Sequence, residues 1–333
     1  MSFSRYNTED SVISAETVVR GAWTSGSGEA YKLTTALTSS TTPTEYYVDV
    51  YATPYSTSAS VQFSAQYGNI NGSGSAIINA QVPNGGYTPS RVVYGEYRNL
   101  VYGTETQNFT FDGGVTTATD IFVISVARGQ YKQALHPGTF NLKLTNGGSS
   151  INLTDDSTTT SLTRFAGENR IYYLISGSNG TPYTSSAATI YYGMMLPDLG
   201  TIILNASGSN SVQPYVATLA TATASAASPT NAQRLVNSIR TGGNFELQSE
   251  EVVSSRYFFT RVKNSEFNYT TNPSIIDANG NLLYTTLIDN PQTYVTAVGM
   301  YNDNNELLAV AKLSRPLTKD FTKEALIRIK LDY

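Results

Sequence analysis

Residues 140–156 read FNLKLTNGGSSINLTDD, and their pattern decides the fold class. Phe140, Leu142 and Leu144 occupy every second position, which in an extended chain places them on one face. Asn146, Gly147 and Gly148 tolerate the backbone angles of a tight corner, after which Ile151 and Leu153 return the same way. Alternation on both sides of a turn specifies a β-hairpin with one apolar and one wet face.

Outward from this hairpin the same signature recurs. EYYVDVYA (45–52), SVQFSAQYG (60–68), RVVYGEYRNLVYG (91–103), DIFVISVARGQY (120–131) and RIYYLISGS (170–178) are β-branched or aromatic and bounded by turn residues, so each reads as a strand. One segment reads as helix: in SPTNAQRLVNSIRTGG (228–243), Ala232, Leu235, Val236 and Ile239 follow a 3.6-residue period and two glycines end it. The run before it, ATLATATASAASPT (217–230), lacks large side chains and reads as a linker or loosely packed arm. The expected fold is mainly β, with antiparallel β-sandwich-like domains and one short amphipathic helix.

A chain of 333 residues predicts two or three domains. Charge helps to divide it: residues 31–90 carry only Lys32, Glu45 and Asp49, and residues 171–233 only Asp198, whereas the C-terminal stretch is rich in both signs. With the linker, this places a boundary near residue 241. The expected organisation is an N-terminal β-rich region over 1–216, a linker and helix over 217–241, and a C-terminal β domain over 242–333.

Charged residues make up 14% of the chain, against about 25% in ordinary globular proteins. The polar surface is therefore built from hydroxyls and amides, which repel weakly and suit packing beside many neighbours. A net charge of -4 and a pI near 5.1, with no run of Lys or Arg, argue against nucleic-acid binding. No apolar stretch is long enough to predict a membrane span, and the start, MSFSRYNTED, lacks the apolar core of a signal peptide. The absence of cysteine excludes disulfides, thiolate nucleophiles and Cys-ligated zinc, and disfavours a disulfide-stabilised secreted protein but not one made in a cytosol and released by lysis.

Chemistry-bearing motifs are sparse. The single histidine, His136, stands in ALHPGT and reads as a turn residue without an identifiable partner. No Gly-x-Ser-x-Gly elbow is present. Asp155 and Asp156, like Glu250 and Glu251, are adjacent, so on a strand they point to opposite faces and cannot flank one glycosidic bond. TSGSGEA (24–30) and NGSGSA (71–76) lack the Gly-Lys-Ser/Thr ending of a phosphate loop. No enzyme activity, cofactor or metal is expected. Tyr-Tyr pairs recur in EYYVDVY, IYYLI and IYYG, and on a strand each pair sends one ring to the core and one to the surface, where tyrosine suits glycan or protein contacts.

GMYNDNNELLAVAKLSRP (299–316) places Asp303, Asn304, Asn305 and Glu306 between two strand-like runs. The spacing is not that of a calcium loop. Asn and Asp tolerate the left-handed conformation, so the segment reads as a hairpin corner. ALIRIKLDY (325–333) then reads as a further strand that ties down the C-terminal segment.

Several long segments carry a resemblance: DSVISAETVVRGAW (10–23), YRNLVYG (97–103), IFVISVARGQYKQALHPG (121–138), YYLISGSNG (172–180), RYFFTRVKNSEFNYTTNPS (256–274) and residues 290–333. Together they resemble structural proteins of contractile-tailed cyanobacterial phages, and VGMYNDNNELLAVAK (298–312) is similar to a hairpin in tail-fibre and baseplate-linked proteins. The resemblance implies a virion protein of the tail, at the baseplate or a fibre attachment, and brings no catalytic residues. Its implied partners are other virion structural proteins, in a homo- or hetero-oligomer. Arg256, Arg261, Lys263 and Glu266 are the expected polar contacts of such an interface. The alternatives are a neck, collar or capsid-surface protein, or a tail module that binds a host surface glycan.

Overall fold

A computed structural model describes residues 5–23, 33–38, 47–52, 60–75, 88–111, 117–131, 133–159, 163–183, 190–208, 211–220, 230–268 and 272–332. TSGSGEA and most of the Ala/Thr/Ser run lie outside them. The fold is mostly strand, with antiparallel sheets and few helices. Contacts divide the chain into two units, Val18–Glu251 and a smaller one made of Met1–Thr17 with Val252–Tyr333. The division falls beyond residue 241, inside the strand Phe245–Val262, and assigns the first seventeen residues to the smaller unit.

In the larger unit one antiparallel sheet runs through Phe245–Glu251, Asn141–Asn146, Ser149–Asp155, Asn169–Ser178, Gly193–Leu196, Thr201–Asn205, Asp120–Val126, Val61–Asn69, Tyr47–Ala52 and Leu33–Thr38. The hairpin at 141–155 forms as the alternation requires: Leu142 faces Leu153 and Leu144 faces Ile151. Gly147 and Gly148 turn it at φ 56° and 88°. The sheet curls until Phe63, far from Phe245 in strand order, meets it ring to ring at 5.2 Å, edge on.

Both faces of this sheet are covered. The helix Asn231–Gly242 (α2) lays Leu235, Val236 and Ile239 against Leu142, Leu144, Phe63 and Phe245 on the inner face. Thr230 caps it reciprocally with Gln233, satisfying two of the free N–H groups at its start. On the outer face lies a helix that the strand reading of 91–103 missed, Pro89–Tyr102 (α1). Thr88 caps its first turn, Pro89 pre-sets its φ, and Gly103 ends it at φ 68°. Val93, Tyr94, Tyr97 and Val101 are its buried stripe, a helical period hidden among β-prone residues. Among the described residues the chain therefore carries two amphipathic helices of three or more turns rather than one.

Burial on both faces explains the sequence of the central strands. In Asp120–Val126, Phe122, Ile124 and Val126 join the inner core, while Ile121 and Val123 join the outer one. The same split corrects the reading of the tyrosine pairs. Tyr172 and Tyr192 pack on the inner core, Tyr173 and Tyr191 on the outer. All four rings are partly buried, so neither pair divides into one core and one fully exposed ring; the corresponding pair at 46–47 lies partly outside the described residues.

In the smaller unit Ala325–Asp332 pairs with the second half of Phe245–Val262, from Ser255 opposite Asp332 to Val262 opposite Ala325. Thr293–Tyr301 and Leu307–Lys319 form a separate two-stranded sheet. Val262, Ile327 and Ile329 are the smaller unit's only buried apolar residues among the described ones.

Candidate interaction surface

Strand alternation in the smaller unit sorts its charged residues. Val262, Ile327 and Ile329 point to one face, with Phe258 half-buried beside them. Tyr257, Phe259 and Arg261 point to the other, as do Leu326, Arg328 and Lys330 on the paired strand. The Arg328 guanidinium stands 5.5 Å and the Lys330 ammonium 6.0 Å from the centre of the Tyr257 ring, a cation–aromatic arrangement.

The four expected interface residues do not form one patch. Arg261 sits on the cationic face just described. Arg256 lies on the opposite face, its guanidinium 5.9 Å from the Phe258 ring and its Nε buried without a hydrogen bond. Lys263 is exposed at the strand end. Glu266 closes the turn there: its carboxylate accepts from the Lys263 N–H at 3.1 Å, and its own N–H donates to the Lys263 carbonyl at 3.1 Å. The alternation of Ile327 and Ile329 with Arg328 and Lys330 carried the missing signal.

The turn is pinned from beneath. Lys319 is fully buried, and its ammonium donates to the Asn264 carbonyl at 2.9 Å, Asn268 Oδ1 at 2.7 Å and the Asp320 carbonyl at 2.9 Å. Three donors meet three neutral acceptors, so the group is geometrically satisfied.

The corner at 302–306 has the expected form. Asn302 Oδ1 accepts from the N–H groups of Asn304 at 3.0 Å and Glu306 at 2.8 Å, and Asn305 takes φ 61°. A second corner repeats it: Asp277 Oδ1 accepts from Asn279 and Asn281 at 2.8 Å each, with Gly280 at φ 83° in the equivalent place. Both Asp277 oxygens serve this loop, and the hydrogen bonds from Asn281 hold its carboxyl below the ordinary range.

The hairpin between residues 293 and 319 is where apolar surface gathers. Val295, Val298, Met300, Ala311 and Leu313 turn toward the small core but remain only partly covered. Tyr294, Tyr301, Leu307, Leu308, Val310 and Leu317 stand exposed, Leu308 at 66% and Val310 at 60%. Sixteen of the twenty-two large apolar side chains exposed among the described residues belong to the smaller unit, although the larger one holds most of the chain.

The larger unit gathers acids and bases in ways that commit them to one another. Arg170 grips Asp198 through Nε at 3.0 Å and a terminal nitrogen at 2.7 Å, and the same nitrogen reaches Glu250 at 2.5 Å. Burial pushes the Asp198 carboxyl up, but the hydrogen bonds from the Arg170 side chain and N–H outweigh it and hold the group below its ordinary range. His136 has a partner after all, Glu250 at 2.9 Å from Nδ1. Its turn is fixed by Asp155, whose two oxygens accept from Gly138 N–H at 2.8 and 2.9 Å, and burial raises the Asp155 carboxyl above its usual range. Asp156 instead holds Arg164 at 2.7 Å and the Tyr173 N–H at 2.9 Å. The adjacent aspartates thus serve separate partners, as their alternation required.

Among the described residues no group of three or more His, Cys, Asp or Glu gathers to hold a metal, and no helix is long and apolar enough to cross a membrane. The chain matches no family model, and comparison with curated proteins and with solved structures finds no similar one.

Proposed function

We propose that this protein is an assembly subunit that works through protein–protein interfaces, with Val18–Glu251 as a rigid body and the smaller unit as the docking module. One observation carries the reading: among the described residues the smaller unit buries three apolar side chains and leaves sixteen large ones exposed, whereas the larger buries more than forty. Exposed apolar surface on this scale marks an interaction site, and obligate interfaces resemble a domain core cut in half.

The face of Tyr257, Arg261 and Arg328, where Lys330 is already paired with Asp332 at 3.2 Å, would supply orientation through complementary charge. The resemblance to contractile-tail proteins of cyanobacterial phages supports placing the subunit in a tail, at the baseplate or a fibre attachment, acting by contact rather than by catalysis. Immunogold labelling of intact particles tests that placement. Label at the tail tip is the expected result; particles that carry the chain nowhere would overturn the virion reading, and label at the neck or head would overturn the tail position.

A further inference from the structure

The smaller unit raises the question of what covers it, and we infer that the hairpin between residues 293 and 319 is covered by a second copy of this chain. The inference rests on the docking reading above and names the partner. Its two strands form a sheet of their own, and a two-stranded hairpin is marginal in water unless something packs on it. Among the described residues, three buried apolar side chains beneath it give little support. Such a unit needs its cover as it folds, and the chain always present at that moment is another copy of itself.

Charge favours the same partner. The smaller unit carries ten basic and eleven acidic residues, so its near-neutral surface selects neither a strongly acidic nor a strongly basic neighbour. Along the hairpin the two signs are separated: Asp303 and Glu306 stand at the corner, while Lys312 and Arg315 stand on the shank of Leu307–Lys319. A two-fold axis that lays two hairpins antiparallel sets the acidic corner of each beside the basic shank of the other. Between those ends lie the exposed side chains of Tyr301, Leu308 and Val310, with Gly299 opposite Val310 adding no bulk of its own.

The area is sufficient. At the exposures observed, Tyr294, Tyr301, Leu307, Leu308 and Val310 present roughly 500 Å², about two thirds of the ~800 Å² that each partner contributes to a stable interface, Leu317 being paired with the core-facing Val295. Backbone edges and the charged ends supply the remainder.

The full chain, expressed without other virion proteins, is examined by sedimentation velocity and native mass spectrometry across micromolar concentrations. A dimer or closed multiple is expected. The double variant L308K/V310K, whose side chains are already in solvent in the single chain, should weaken association at least tenfold. D303K/E306K and K312E/R315E should each weaken it, and the four together should restore it, an outcome that general destabilisation does not produce. A wild-type monomer at all concentrations, an L308K/V310K chain that associates as before, or failure of the combined charge swap to restore association would overturn the inference. A monomer whose antibody still labels particles rejects self-pairing alone; a dimer absent from particles rejects the virion reading alone.

Discussion

Replacing Lys319 by methionine should unlock the small unit while leaving the larger one intact. Methionine keeps the unbranched stem and fills the same channel, so the change removes the ammonium and little else. Its three hydrogen bonds hold Asn264 and Asn268 against the end of Leu307–Lys319, and so fix the turn that carries Lys263 and Glu266. A hydrogen bond to a charged donor contributes about 1.5–3 kcal/mol. All three share one ammonium, whose desolvation offsets part of the gain, so the expected loss is about 3–5 kcal/mol rather than the sum. With only Val262, Ile327 and Ile329 buried among the described apolar residues of this unit, such a loss should open it locally. Hydrogen exchange read by mass spectrometry reports this directly. Peptides covering 255–268 and 325–332 should lose protection, while those covering 120–126 and 201–205 should keep it. Unchanged exchange across 255–268 would show that the Lys319 hub does not hold the turn, and the reasoning would fail.

Four further perturbations test the packing and the turns. Gly95 lies inside α1 with open space where a Cβ would stand, so Gly95→Ala should raise stability by about 0.5–1 kcal/mol in thermal or urea unfolding; a loss would favour the strand reading of that segment. Gly242 closes α2 against Lys143, whose carbonyl would lie 2.0 Å from an added Cβ, and Gly242→Ala should cost about 1–3 kcal/mol in the same assay. Arg170→Leu strands Glu250 and Asp198 and should cost about 2–3 kcal/mol at neutral pH, discounted for partial exposure. Because the folded Asp198 carboxyl titrates below its unfolded value of 3.8, its contribution is complete above that value and fades as pH falls through the lower folded one; the variant should flatten this acid limb of the stability curve. Asn305→Gly should stabilise the 302–306 corner by up to about 1 kcal/mol, since φ 61° is free for glycine, measured as a rise in the melting temperature of the full chain.

Local rules made much of the fold legible. The turn at Gly147 and Gly148, the Asn-rich corner at 302–306 and the capped helix at 231–242 depend on residues a few positions apart, and each forms as its pattern specifies. The error at α1 came from the same local view. Val92, Val93, Tyr94 and Tyr97 have strand propensity, but Thr88, Pro89 and Gly103 supply helix ends, and a sheet face awaits the apolar stripe. Tertiary burial outweighed propensity there.

The candidate surface divides the same way. The alternation of Ile327 and Ile329 with Arg328 and Lys330 stands in the sequence, yet nothing local tells that Arg256 falls on the other face from Arg261, because the phase belongs to the pairing with Ala325–Asp332. His136 and Glu250 are 114 residues apart, and no short-range pattern joins them. The amino-acid sequence by itself determined the antiparallel strands, their corners and the charge-poor surface, because these follow from periods and turn chemistry within a few residues. Only the tertiary structure decided that the large sheet is buried on both faces, that the tyrosine pairs split between two cores, and that the small unit keeps its apolar side chains outside. Those outcomes depend on which distant surfaces meet, and a residue's burial is fixed by what packs against it.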